Sequence, residues 1–169
     1  MRRTILLLAV LALTVGAAWR RGDAYILRYG KTQVIRTSTT INQLVPLQRR
    51  LGEGSYLWVR IDSREWLSRD EALLREAAAF WAPVEALSPE QHAVDEEERR
   101  LDKRIDAIED GKAKAEPGEL ARLRDRNAVV SRRQRELDEH SEALEKVAEA
   151  KLRQLVDEAI RDGRAKELR

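Results

Sequence analysis

The chain has 169 residues, 37% of them charged and 5% aromatic, and its 32 Lys and Arg against 30 Asp and Glu leave a formal net charge of +2. That length allows one domain with an extension. The near-neutral charge argues against a nucleic-acid binder, which needs a concentrated basic face. The absence of cysteine excludes disulfides, thiolate metal sites, cysteine nucleophiles and a lipoprotein anchor.

Met1-Arg2-Arg3 is a short cationic start, and residues 4–19 (TILLLAVLALTVGAAW) form an uninterrupted apolar run. Gly16-Ala17-Ala18 supply the small residues of a cleavage site, so residues 1–18 read as a signal peptide. The rival is an uncleaved N-terminal membrane anchor, which Arg20-Arg21 favour and the shortness of the run disfavours. Either form places the rest of the chain outside the cytoplasm, in a bacterial periplasm, soluble or anchored to the inner membrane by the N-terminus. With the opposite orientation of an anchor, the rest would be cytoplasmic.

Residues 24–69 read as a small β-rich domain. Residues 24–29 and 32–37 are β-prone runs joined at Gly30-Lys31, a hairpin. Ser38-Thr39-Thr40 can cap a short helix over residues 41–51, because Thr40 and Gln43 have capping-box spacing, with Pro46 bending it or delaying its start. After the Gly52-Glu53-Gly54 turn, residues 55–61 alternate: Tyr56, Trp58 and Arg60 on one face, Leu57, Val59 and Ile61 on the other. Asp62-Ser63 turns into residues 64–68, a second hairpin. The order ββαββ predicts an α+β fold with a small four-stranded antiparallel sheet.

Residues 70–163 read as a long antiparallel helical hairpin or coiled coil, with Asp70 capping the first arm and the turn at residues 111–118. Phe80, Leu87, Val94, Leu101 and Ile108 recur every seven residues, with Val84, Gln91, Glu98 and Ile105 as companions. On the second arm, from Glu119, Leu123, Val130, Leu137 and Leu144 do the same, beside Leu120, Asn127, Gln134, Ser141 and Ala148. Beyond Leu144 the pattern steps to Ala148, Leu152, Leu155 and Ala159, a four-residue shift that locally unwinds a coiled coil. Facing Ile108 with Leu120 pairs Leu101 with Asn127, Glu98 with Val130, Val94 with Gln134, Gln91 with Leu137 and Phe80 with Ala148. Pro83 and Pro89 kink or break the first arm, and Ser88 stands as an N-cap at a restart.

Little in the chain carries chemistry. The two histidines, His92 and His140, lie at similar heights on the arms near carboxylates, but point apart, which favours surface roles over zinc. No catalytic, cofactor-binding or metal-binding residue is assigned, and the protein reads as a non-enzyme. The basic stretches around Arg122 and Arg132 are interleaved with acids and read as solvated faces. Tyr25, Tyr29, Tyr56, Trp58 and Trp66 all lie on strands; packing of the sheet on its helices is the simpler reading, and a ligand surface requires an exposed stripe. The candidate partner-binding residues are Tyr56, Trp58, Gln91, Glu98, Asn127 and Gln134, the last four being polar seam positions that weaken packing and restrict partner choice.

The order Tyr25-Ile26-Leu27, Gly30, Tyr56-Leu57-Trp58-Val59-Arg60, Glu65-Trp66-Leu67-Ser68-Arg69-Asp70 and Phe80-Trp81-Ala82-Pro83-Val84 resembles a poorly characterised bacterial exported α/β-plus-helical-hairpin module. That module also forms the tail of some antirepressor-type membrane metallopeptidases. The resemblance covers roughly residues 24–140, and Arg132-Arg133-Gln134-Arg135-Glu136-Leu137 looks like a degenerate copy of the Gln/Arg-rich helical repeat that follows in those proteins. It implies structural motifs only; the peptidase zinc motif is missing. Leu87-Ser88-Pro89-Glu90-Gln91 is similar to an element of periplasmic stress chaperones and metal-responsive hairpin proteins. The expected function is an envelope scaffold or protein–protein interaction module acting through its hairpin. The alternatives are a chaperone-like or stress- or metal-responsive helical protein, and a ligand-binding sheet domain.

Overall fold

The computed structural model of the protein describes residues 19–20, 22–36 and 41–168. The expected signal or anchor segment and the capping residues Ser38, Thr39 and Thr40 lie outside the described residues. No helix among the described residues is long and apolar enough to cross a membrane.

The strands are β1 (Ala24–Tyr29), β2 (Thr32–Arg36), β3 (Tyr56–Ile61), β4 (Arg64–Ser68) and β5 (Lys166–Glu167), all neighbours antiparallel in the order β2-β1-β3-β4-β5. The sheet therefore has five strands where the sequence predicted four. The fifth is too short to carry a period-2 pattern. It arises because the chain turns at Gly163, whose φ of +72° suits glycine, and returns to the β4 edge. There the Leu168 amide donates to the Glu65 carbonyl at 2.8 Å, and Ser68 Oγ donates to the Arg164 carbonyl at 2.8 Å.

Alternation assigns the two sheet faces to different layers. Tyr25, Leu27, Leu57, Val59 and Ile61 face α2 (Glu71–Ala79) and the C-terminal half of α5 (Glu119–Arg161), which contribute Leu73, Leu74, Ala77, Ala148, Leu152, Leu155, Val156 and Ala159. Ala24, Ile26, Tyr56 and Trp58 face α1 (Ile41–Leu51), packing with Leu47 and Leu51. Helix α1 starts at Ile41 and runs through Pro46. The core thus crosses residue 70, and the sheet, α2 and the base of α5 form one packing unit.

The first arm is three helices. Asp70 caps α2 as expected, its Oδ1 accepting the Leu73 amide at 2.8 Å. The chain then breaks at the two prolines into α3 (Ala82–Glu85) and α4 (Ser88–Glu109), each with proline in its first two positions, where a missing N–H costs nothing. Ser88 is the first helical residue and caps nothing; Leu87 is the N-cap, without a side-chain bond. The four-residue shift beyond Leu144 also acquires a cause. It marks where α5 leaves α4 and enters the core, for Ala148, Leu152, Leu155 and Ala159 are all buried there.

Candidate functional site

Two places combine polar groups with incomplete satisfaction: the interface between α4 and α5, and a cleft at the free edge of the sheet.

Helices α4 and α5 run antiparallel, tied by bonds from the Arg104–Glu119 end to the Arg133–Glu90 end. Arg104 Nη2 donates to Glu119 at 2.7 Å, Asn127 Nδ2 to Asp102 at 2.9 Å, Arg126 Nε to Glu97 at 2.8 Å and Arg133 Nε to Glu90 at 3.1 Å. Ser131 Oγ donates to Glu98. The Asn127–Asp102 and Ser131–Glu98 bonds fall one residue from the pairs Leu101–Asn127 and Glu98–Val130. Arg124, Arg126 and Arg133 of the basic stretches of α5 are thus paired with Glu109, Glu97 and Glu90 of α4. The Asn127–Asp102, Arg126–Glu97 and Arg133–Glu90 bonds are solvent-exposed and add little to stability, while Arg104–Glu119 and Ser131–Glu98 are partly buried.

The seam is thinly packed. Of the 22 residues of α4, only Leu101 and Ile105 are buried. Asn127 Oδ1 and Gln134 Oε1 are buried without a hydrogen-bond partner, while Gln134 Nε2 donates back to Asp138 on its own helix at 3.1 Å. Gln91 and Glu98 are half-buried. Tyr56 and Trp58 join neither site. They are 1% and 2% exposed because α1 covers their face of the sheet, Trp58 Nε1 donates to Glu65 at 3.3 Å, and no open aromatic stripe exists on that face. His92 and His140 are exposed, and among the described residues no group of three or more His, Asp or Glu could hold a metal ion.

The second place is a cleft of about 530 Å³ between edge strand β2 and the base of the arms. Four consecutive β2 residues, Gln33 to Arg36, line it. Consecutive residues point to opposite faces of a strand, so the cleft runs along the strand's edge. Trp81, Val84 and Glu85 from the α2–α3 segment, Ser88 from α4, and Glu145 and Glu149 from α5 form the facing wall, and Tyr25 lies at the bottom. Glu149 organises one end: its carboxylate pairs with Arg36 and accepts from the Tyr25 hydroxyl at 3.4 Å, and its carbonyl accepts Trp19 Nε1 at 2.8 Å. The rings of Trp19, Tyr25 and Trp81 follow one another, with centroids 4.9 Å and 6.2 Å apart. Trp81 is 5% exposed, and its indole Nε1 is buried with no partner.

The chain matches no protein-family model, no curated protein and no solved structure.

Chemically, both places are suited to holding and orienting. Burial, followed by the negative charge of Glu149, pushes the Tyr25 phenol far above its ordinary range. The protonated phenol donates to Glu149. Sequence reasoning placed Tyr25 and Trp81 in elements but could not assemble the cleft. Arg36 and Glu149 are 113 positions apart and Tyr25 and Glu149 are 124 apart. The one local hint was the i, i+4 spacing of Glu145 and Glu149, which puts both carboxylates on one face of α5.

Proposed function

We propose that the protein is a non-enzymatic interaction module of the bacterial envelope, exported or anchored through residues 4–19, that recruits a protein partner by opening its helical hairpin. In this reading α4 and the facing part of α5 form a short coiled coil, and the sheet domain is the rigid base that presents it. The carrying observation is the imbalance between the two. The base holds nearly all the large buried side chains, whereas α4 contributes only Leu101 and Ile105 and the seam contains two orphaned amide oxygens. A buried acceptor without a partner costs about 1–3 kcal/mol, so the seam belongs to the low-stability end of the molecule, from which moving elements are drawn. The exposed apolar residues of α5, Val129 and Val147, stand 18 positions apart, which favours a specific partner helix over a broad client-holding surface.

Native-state hydrogen exchange on the full chain tests this. Amides of α4 and of residues 119–144 are expected to exchange at least about tenfold faster than those of β1, β3 and residues 148–161, a gap of ~1.4 kcal/mol or more in opening free energy. Gln134→Leu, which removes an orphaned amide oxygen, should slow exchange in α4 and lower partner capture together. Uniform protection across arm and base would sink the reading.

A further inference from the structure

We infer that the cleft beside β2 is a second, separate recognition site, which takes an extended polypeptide segment carrying basic side chains by adding it as a strand to the sheet. Three independent observations meet there. First, β2 ends the strand order, so among the described residues nothing pairs with its outer backbone edge. Such an edge is a template for another strand. It is not blunted by a proline, and Ile35 on it is 39% exposed. Second, the wall facing this edge is acidic. Glu149 is matched by Arg36, but Glu85 and Glu145 make no ion pair among the described residues. Third, the buried Trp81 indole in that wall has a donor with no acceptor. A buried N–H in a native structure is almost always satisfied, and an added peptide chain brings carbonyl oxygens.

The three requirements select one chemistry. A free edge needs backbone amides, the acidic wall needs cationic side chains, and the indole needs a neutral or negative acceptor. A basic, extended peptide supplies all of them. Alternate side chains of an added strand point to the same face, so cationic residues at every second position would all lie over Glu85 and Glu145. The cleft lies beside the core, away from Asn127 and Gln134, so its occupancy does not require the seam to open.

Fluorescence polarisation with the full chain tests the proposal, using a labelled heptapeptide of alternating valine and lysine and a control with glutamate in place of lysine. The lysine peptide should bind at least about tenfold more tightly, and the preference should shrink with added salt. Glu85→Gln combined with Glu145→Gln should remove most of the preference; both side chains are exposed, and circular dichroism should show the fold intact. N-methylating the peptide amides along one edge should abolish binding, whereas methylating the opposite edge should not. Trp81→Phe, which keeps an aromatic ring and removes the donor, should weaken binding severalfold. Gln134→Leu should leave it unchanged, which separates this site from the seam. Equal affinity for the two peptides, no binding at millimolar concentration, or a β2-mediated dimer that the lysine peptide does not displace would each overturn the inference.

Discussion

Arg153 and Asp23 form the most enclosed ion pair of the described residues. Nη1 lies 3.1 Å from Asp23 Oδ2, with side chains 10% and 4% exposed. The pair is completed on both sides. Asp23 Oδ2 also accepts the Arg20 amide at 2.8 Å, and Arg153 Nε donates to Asp157 at 3.2 Å while its guanidinium lies 5.4 Å from the centre of the Trp19 ring. This network fastens the start of β1 to α5. Removing one partner of such a pair strands a buried charge, whereas removing both charges removes the desolvation cost as well. Asp23→Ala and Arg153→Met should therefore each lower stability in urea titration by about 3–5 kcal/mol, and the double replacement by clearly less than their sum. The sequence showed neither residue as special. Arg153 lies at an apparently ordinary helical position, and only the approach of β1 turns it inward.

At the level of elements, the α4–α5 connection depends on one carboxylate. Gly118 precedes α5 with φ +75°, a conformation suited to glycine, and Glu119 folds back to accept the Glu116 amide at 3.0 Å and the Arg104 guanidinium at 2.7 Å. The Glu116 amide, and then Arg104, hold the Glu119 carboxyl below the usual range. Because its folded pKa is depressed, the stabilisation is fully present above the unfolded value of about 4.5 and is lost as the pH falls through the folded one. Glu119→Gln should be less stable than the parent at pH 7, and the difference measured by thermal unfolding should close toward pH 3. A gap independent of pH would mean that ionisation of the carboxylate is not what stabilises the connection. The first four strands and α5 were legible from their periods of two and seven. The three-way division of the first arm was legible in part, from Pro83 and Pro89, but Ser88 was misassigned as a cap because Leu87 continues the helical turn before it.

Across the whole molecule, the C-terminal return decides how the sheet ends. Ala165 is buried against the core, and β5 covers the β4 edge. Deleting residues 164–169 should expose that edge, lower the unfolding midpoint and produce self-association visible by light scattering, as exposed edges do. A stable monomer after deletion would show that β5 only decorates the sheet. The same scale explains why Tyr56 and Trp58 could not be judged from sequence. Alternation put them on one face, but whether that face was open depended on α1 folding over it.

Local chemistry therefore determined the types of the helices and of the first four strands, the breaks at the prolines and the division of those strands into two faces. These depend on dihedral preference and on side-chain period, both properties of neighbouring residues. Tertiary structure alone decided the fifth strand, the core shared across residue 70, the Asp23–Arg153 network and the cleft facing β2. Each of these joins residues far apart along the chain, and no local pattern records which distant surface will bury a side chain or leave its hydrogen-bonding group without a partner.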